Sequence, residues 1–234
     1  ANYQLDISII SRLIFTLLPA SPPYKLLVDR THWKFAGIDF NILMLAVVYK
    51  GVGIPLMFTM LPKGGNSSTD ERIELLKRYI SAFSATSIDC LIADREFIGK
   101  EWFTFLKNQN IKIFIRIREN ATIKTGKRNG NISVLRLFSE LKINETRVLT
   151  KMYLIHDEVF CYLAASMTLN KNNKRELQII ASYDRPELSL RIYKDRWQIE
   201  TAFKALKTSG FNIEETHLTD IKRLEKLLAL IMVA

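Results

Sequence analysis

Apolar positions along this chain follow two rhythms, and the changes between them divide it. Residues 4–18 repeat their apolar positions at helical spacing, and Ser-Pro-Pro at 21–23 ends that segment. Three strand-like runs follow, YKLLVDRTHW at 24–33, FNILMLAVVY at 40–49 and VGIPLMFTML at 52–61. Lys50 and Gly51 leave room only for a tight turn, so the last two runs are expected as an antiparallel hairpin. Pro55 has no hydrogen to give a ladder, which puts the third strand at an edge or beside a bulge.

After the loop at 62–68 the rhythm becomes helical. Ser68 or Thr69 is placed to cap a helix over 70–83, with acidic residues in its first turn. A buried strand at 87–95, a helix at 100–110 and a strand at 111–117 come next. Three strands, then helix, strand, helix, strand, call for an α/β fold with a mixed sheet and helices packed on it.

Residues 120–150 change character, with a polar, basic and turn-rich stretch at 120–131. Strands are expected at 147–156, 158–167 and 176–183, and the region 120–175 reads as a β-rich insertion. It separates a first core part, 1–119, from a second, 176–234. A long helix is expected from 185, with Pro186 in its first turn, until Gly210-Phe211-Asn212 ends it. A last apolar helix starts near 219.

The helix from 185 carries an unusual arrangement. Tyr193, Arg196, Glu200 and Lys207 fall within roughly 60° of one another around its axis. The apolar stripe of Ile192, Ile199, Phe203 and Leu206 lies roughly 80° away. A solvated face would lie opposite the core, whereas this row borders it. It is either an edge of snorkelling side chains joined in helical pairs, or a set of charged heads converging on a cleft.

Charge narrows the partners. The chain of 234 residues has a formal net charge of +10, which points to an anionic partner, nucleic acid first. Cys90 and Cys161 stand far apart inside apolar runs and read as buried thiols of a reducing compartment. His32, His156 and His217 have no ligand spacing, so zinc is not expected. The apolar LLALIMVA at the end is too short to span a bilayer, and the chain reads as a piece of a longer protein.

Two aspartates follow apolar strand segments, Asp29 after KLLV and Asp94 after CLIA. An acidic group there is costly unless it is paired or bound to a cation. Such an aspartate is also an ordinary turn or cap residue, so neither means much alone. Together with Glu200 they make a set of three carboxylates drawn from two strands and a helix.

The helix row Y-x2-R-x3-E-x6-K at 193–207, with LLVDRTHW and LIADREFIG upstream, resembles the DDE-class bacterial insertion-sequence transposases, specifically the insertion-sequence-four family. The resemblance runs from about residue 24 to 234. It implies a ribonuclease H-like core with a β-rich insertion between the second aspartate and the glutamate. It implies Asp29, Asp94 and Glu200 as catalytic, metal-binding carboxylates, and Tyr193, Arg196 and Lys207 as a row serving DNA. The expected chemistry is in-line cleavage and transfer of phosphodiesters with two Mg²⁺ or Mn²⁺ ions. The expected partner is double-stranded DNA, as element ends and target, bound by a homodimer, with no membrane and in the bacterial cytoplasm at the nucleoid.

Other basic residues are candidates for DNA. Lys124, Lys127 and Arg128 either track a backbone or sit on a solvated hairpin tip. Arg116 and Arg118, two apart, face DNA or solvent. Arg30 and Arg95 each follow a candidate aspartate, and either balances its charge or touches phosphate. A nuclease on the same core and an inactive, DNA-binding descendant are the competing functions.

Overall fold

The computed structural model describes residues 6–124, 132–155 and 159–234. Its elements in chain order are α1 (Ile7–Leu17), β1 (Tyr24–Phe35), β2 (Ile38–Tyr49), β3 (Val52–Leu61), α2 (Thr69–Phe83), β4 (Ile88–Ala93), α3 (Lys100–Asn108) and β5 (Lys112–Ile117). Then come β6 (Thr122–Lys124), β7 (Ile132–Ser133), β8 (Thr146–Ile155), β9 (Val159–Leu169), β10 (Arg175–Ser182), α4 (Ser189–Tyr193), α5 (Trp197–Lys204) and α6 (Ile221–Ile231). This is an α/β protein, and from β1 to β5 its order is the expected three strands, helix, strand, helix, strand. The chain folds as two compact units, one of residues 1–89 and 196–234, the other of residues 90–195.

In the first unit β1, β2 and β3 form an antiparallel meander. Its turns, Ala36-Gly37 and Lys50-Gly51, take positive φ at both positions. That backbone twist suits a two-residue hairpin. Phe40 to Val47 of β2 are buried without a break, so both faces of this strand are covered. The hairpin expected at 50–51 is present. So is the irregularity expected from Pro55: Leu45 pairs with Met57 and Ala46 with Pro55, which leaves Leu56 bulged. The carbonyl of Leu56 accepts a hydrogen bond from the buried hydroxyl of Ser11, so the bulge also anchors α1.

Helix α2 begins in a capping box. Ser68 accepts from the Glu71 amide, and Glu71 accepts from the Ser68 amide at 2.6 Å. The loop before it is fastened by Asn41, which is fully buried in β2. Its amide nitrogen donates to the carbonyls of Lys63 and Gly65.

In the second unit β4 and β5 are parallel, with Cys90 opposite Lys112 and Ala93 opposite Ile115. From β5 onward every pairing is antiparallel, through β10, β9, β8 and β6 to β7. The sheet is therefore mixed, as the alternation of elements requires. Strands of the β-rich stretch extend the sheet that β5 begins. Helices α3 and α4 pack on β5 and β9. Tyr183 ties α3 down by donating to the Phe103 carbonyl at 2.7 Å.

One expectation needs correction. The helix from 185 is not one regular helix. Residues 186–188 and 194–196 form tight 3₁₀ turns, α4 and α5 are short, and residues 205–209 make a wider π turn. Pro186 holds the first of these turns, and the π turn closes on Gly210, whose amide donates to the Ala205 carbonyl. The strand expected at 24–33 is present as β1 and runs two residues farther, to Phe35, with its unbroken buried stretch ending at Val28.

Candidate active site

The candidate residues fall into two groups, one in each unit. In the first unit, Asp29 sits on β1 where burial gives way to exposure. Arg196 ends the 3₁₀ turn that leads into α5, and Glu200 lies on α5, one helical turn later. The Arg196 guanidinium donates to Glu200 Oε1 at 2.6 Å and reaches Asp29 Oδ2 at 3.4 Å. Two carboxylates from opposite ends of the sequence thus share one cation. The Arg196 side chain is 9% exposed, Asp29 15% and Glu200 40%, so the pairing is shielded on the arginine side and open on the glutamate side. Charge-assisted bonds of this kind are short and directional.

Close packing of α5 on β3 brings Glu200 to this place. Gly53 of β3 lies against the backbone of Gln198. A Cβ there would stand 2.8 Å from the Gln198 carbonyl carbon and 3.0 Å from the Ile199 nitrogen. Only a residue without a side chain lets the helix approach so closely. Ile199, Ala202 and Phe203 are buried behind it.

Farther along the same helical segment, Lys207 lies in the π turn. Its ammonium donates to the His32 carbonyl at 3.0 Å, pairs with Glu214 at 2.8 Å, and stands 5.3 Å above the Trp33 ring. Trp33 itself stacks on Phe40, its cross-strand partner. Arg30, on the other face of β1, turns to the loop. It donates to Asn41 at 3.1 Å and to Asn66 at 3.3 Å. His32 meets Asp39 at 2.7 Å.

In the second unit, Asp94 directly follows β4, and its carbonyl closes a turn with the amide of Phe97. The Tyr193 hydroxyl donates to Asp94 Oδ1 at 3.2 Å, and Tyr193 is 2% exposed. Arg95 is exposed and joins Arg116, Arg118, Glu119, Asn120 and Leu177 around a hollow of about 220 Å³. Arg116 is paired there with Glu176 at 2.7 Å. Lys124 is exposed at the end of β6, whereas Lys127 and Arg128 lie outside the described residues.

Among the described residues no group of three acidic, histidine or cysteine side chains is gathered as a cation site. What fits a divalent ion is the donor chemistry. Asp29 and Glu200 offer hard carboxylate oxygens and already converge on a positive group, as an Mg²⁺ or Mn²⁺ site requires.

Two supporting residues were missed by sequence reasoning. Asn41 is a polar residue inside an unbroken apolar run, which was its signal. Gly53 is an isolated glycine within a strand, which marks a close backbone approach.

The fold is α/β, with a mixed sheet and helices packed on it. Residues 20–234 match the family described as Transposase DDE domain, and the chain belongs to that family. Among solved structures it is similar to a piggyBac transposase in a synaptic complex with hairpin DNA. That likeness has 11% identity and a TM-score of 0.48, over 80% of this chain and 41% of that one. It is similar also to the HTLV-2 integrase catalytic core domain in complex with magnesium, at 18% identity and a TM-score of 0.33, over 41% and 61%. A third likeness is to endonuclease V from Bacillus subtilis, at 10% identity and a TM-score of 0.38, over 83% and 84%. The chain spans less than two thirds of the length of the piggyBac and HTLV-2 proteins. A comparison with curated proteins finds no match.

Proposed function

We propose that this domain is the catalytic part of a DNA transposase of the insertion-sequence-four branch, with Asp29, Asp94 and Glu200 holding two Mg²⁺ or Mn²⁺ ions. The observation that carries the reading is the convergence of Asp29 and Glu200 on the Arg196 guanidinium. Nothing in the stability of a helix edge calls for a strand carboxylate there. When bound, the ions supply Lewis-acid stabilisation of the attacking and leaving oxygens of the phosphodiester.

The chain's own groups do the positioning. Tyr193 holds Asp94 in one orientation through its hydroxyl, which suits a buried phenol better than a contact to phosphate. Arg196 is the fork that grips a DNA phosphate beside the cut. Lys207 adds positive charge at the far end of the row, and the stacking on Trp33 directs it. Arg30, Arg95, Lys124, Lys127 and Arg128 supply charge for the DNA backbone, which would position the duplex without reading its sequence. Residues 120–175 are the β-rich insertion between core parts 1–119 and 176–234. The partners are element ends and target DNA, held by a homodimer in the bacterial cytoplasm.

The test is a joining assay with the full-length protein, a duplex bearing the element's 3′-hydroxyl end, and Mn²⁺. Joined products are expected from the wild type. Asp29→Asn, Asp94→Asn and Glu200→Gln should each lose about a thousandfold in rate while remaining folded, the order found when a group stabilising transition-state charge is removed. Hydrolysis without joining would make the protein a nuclease. Undiminished cleavage by the three variants would remove the enzyme reading.

A further inference from the structure

Arg196 does something that a plain phosphate contact does not explain. Its guanidinium stands on the oxygens that the proposed function gives to metal, 2.6 Å from Glu200 Oε1 and 3.4 Å from Asp29 Oδ2. An arginine does not discharge by losing its proton at any ordinary pH. It therefore neutralises the pair whenever no other cation is near. A divalent ion seeking the same oxygens meets lone pairs already engaged and a like charge already in place. For the ion to enter, the guanidinium has to leave, and leaving is costly unless another anion receives it. A phosphate of bound DNA is such an anion, matched to the same bidentate fork. The Trp197 ring, itself exposed, has its centroid 5.2 Å from the guanidinium carbon.

We propose that Arg196 is a built-in placeholder cation for Asp29 and Glu200, exchanged for a divalent ion when a DNA phosphate takes up the guanidinium. This rests on the reading of Asp29 and Glu200 as metal ligands. Metal binding and DNA binding are then coupled through one side chain, and the coupling is reciprocal. Metal is held weakly by the protein alone and strongly on DNA. Arg196 acts here as a positioning residue, keeping the two carboxylates facing each other before either ligand arrives.

The experiment is a titration of Mn²⁺ followed by electron paramagnetic resonance, on the full chain, with and without a short duplex. Without DNA, Arg196→Gln should bind Mn²⁺ about tenfold more tightly than the wild type, the order of one charge-assisted hydrogen bond relieved. In the wild type the duplex should tighten Mn²⁺ by a similar factor, and in Arg196→Gln that enhancement should shrink severalfold. Equal Mn²⁺ affinities of the two proteins without DNA overturn the placeholder role. If circular dichroism shows Arg196→Gln unfolded, Arg196→Lys replaces it. A lysine keeps the charge but cannot bridge both carboxylates, so an intermediate gain is expected, and a wild-type isotherm overturns the proposal. An Asp29→Asn protein that binds Mn²⁺ as the wild type does would instead defeat the assignment of the metal ligands.

Discussion

The hydroxyl of Tyr193 donates a hydrogen bond of 3.2 Å to Oδ1 of Asp94, a residue far from it in sequence. The phenol is buried, and the carboxylate it meets is partly open. The bond fixes one oxygen of Asp94 and leaves the other to be directed elsewhere. Tyr193→Phe removes this bond and keeps the packing. The expected outcome is a protein with a nearly unchanged melting temperature, a rate lowered about tenfold and little change in the KM for DNA. A raised KM with an unchanged rate would make the hydroxyl a substrate contact instead.

Gly53 sets how near α5 comes to β3. The groups a new Cβ would strike are backbone atoms of Gln198 and Ile199, which cannot rotate away. Gly53→Ala should cost about 1–3 kcal/mol by chemical denaturation, the range of overpacking in a close-packed interior. Because Glu200 rides on the displaced helix, activity should fall by more than the loss of folded protein explains. A variant with full activity per folded molecule would show that the site tolerates the shift.

The capping box at Ser68 and Glu71 makes a pH-dependent contribution. Burial alone would raise the Glu71 carboxyl, but the Ser68 amide and the Lys63 ammonium outweigh it and hold the group below the usual 4.5. A depressed folded value means the contribution is present above the unfolded value and is lost as pH falls through the folded one. Glu71→Gln should therefore be less stable than the wild type by about 0.5 kcal/mol at pH 7, a modest figure because the group is partly exposed. The difference should vanish on acidification to well below pH 4.5. Urea melts across that range check it, and a pH-independent difference would show that Gln disturbs the cap by shape alone.

Lys207 is divided between Glu214 and a carbonyl of β1. If its ammonium turns to a phosphate when DNA binds, Lys207→Gln should lower the slope of log affinity against log salt by about one. The loss should be the same for any duplex sequence. An unchanged slope would confine Lys207 to tying Glu214 and His32 together.

Much of the fold was legible along the chain because local signals were strong. The Lys50-Gly51 turn, the disturbance at Pro55, the Ser68 cap and the apolar runs of β2, β4 and β5 each follow from what one residue type permits its backbone. The row at 193–207 was legible too, since periodicity sets angular position. Its regularity was not, because the energies separating α, 3₁₀ and π turns are small and packing decides among them. The reach of β1 past Asp29 was legible as far as Trp33, and pairing with β2 carries it on to Phe35.

The sequence alone determined which residue types stand where: two aspartates beside apolar strand segments, a helical row of Tyr193, Arg196, Glu200 and Lys207, and an excess of positive charge. Only the tertiary structure decided which of these groups face one another. It put Arg196 on Asp29 and Glu200, Tyr193 on Asp94, and Lys207 over Trp33. The reason is range. A backbone turn or a strand run is fixed by a few neighbouring residues, whereas an ion pair forms only where packing of distant segments, here α5 against Gly53, brings charged heads within a few ångströms.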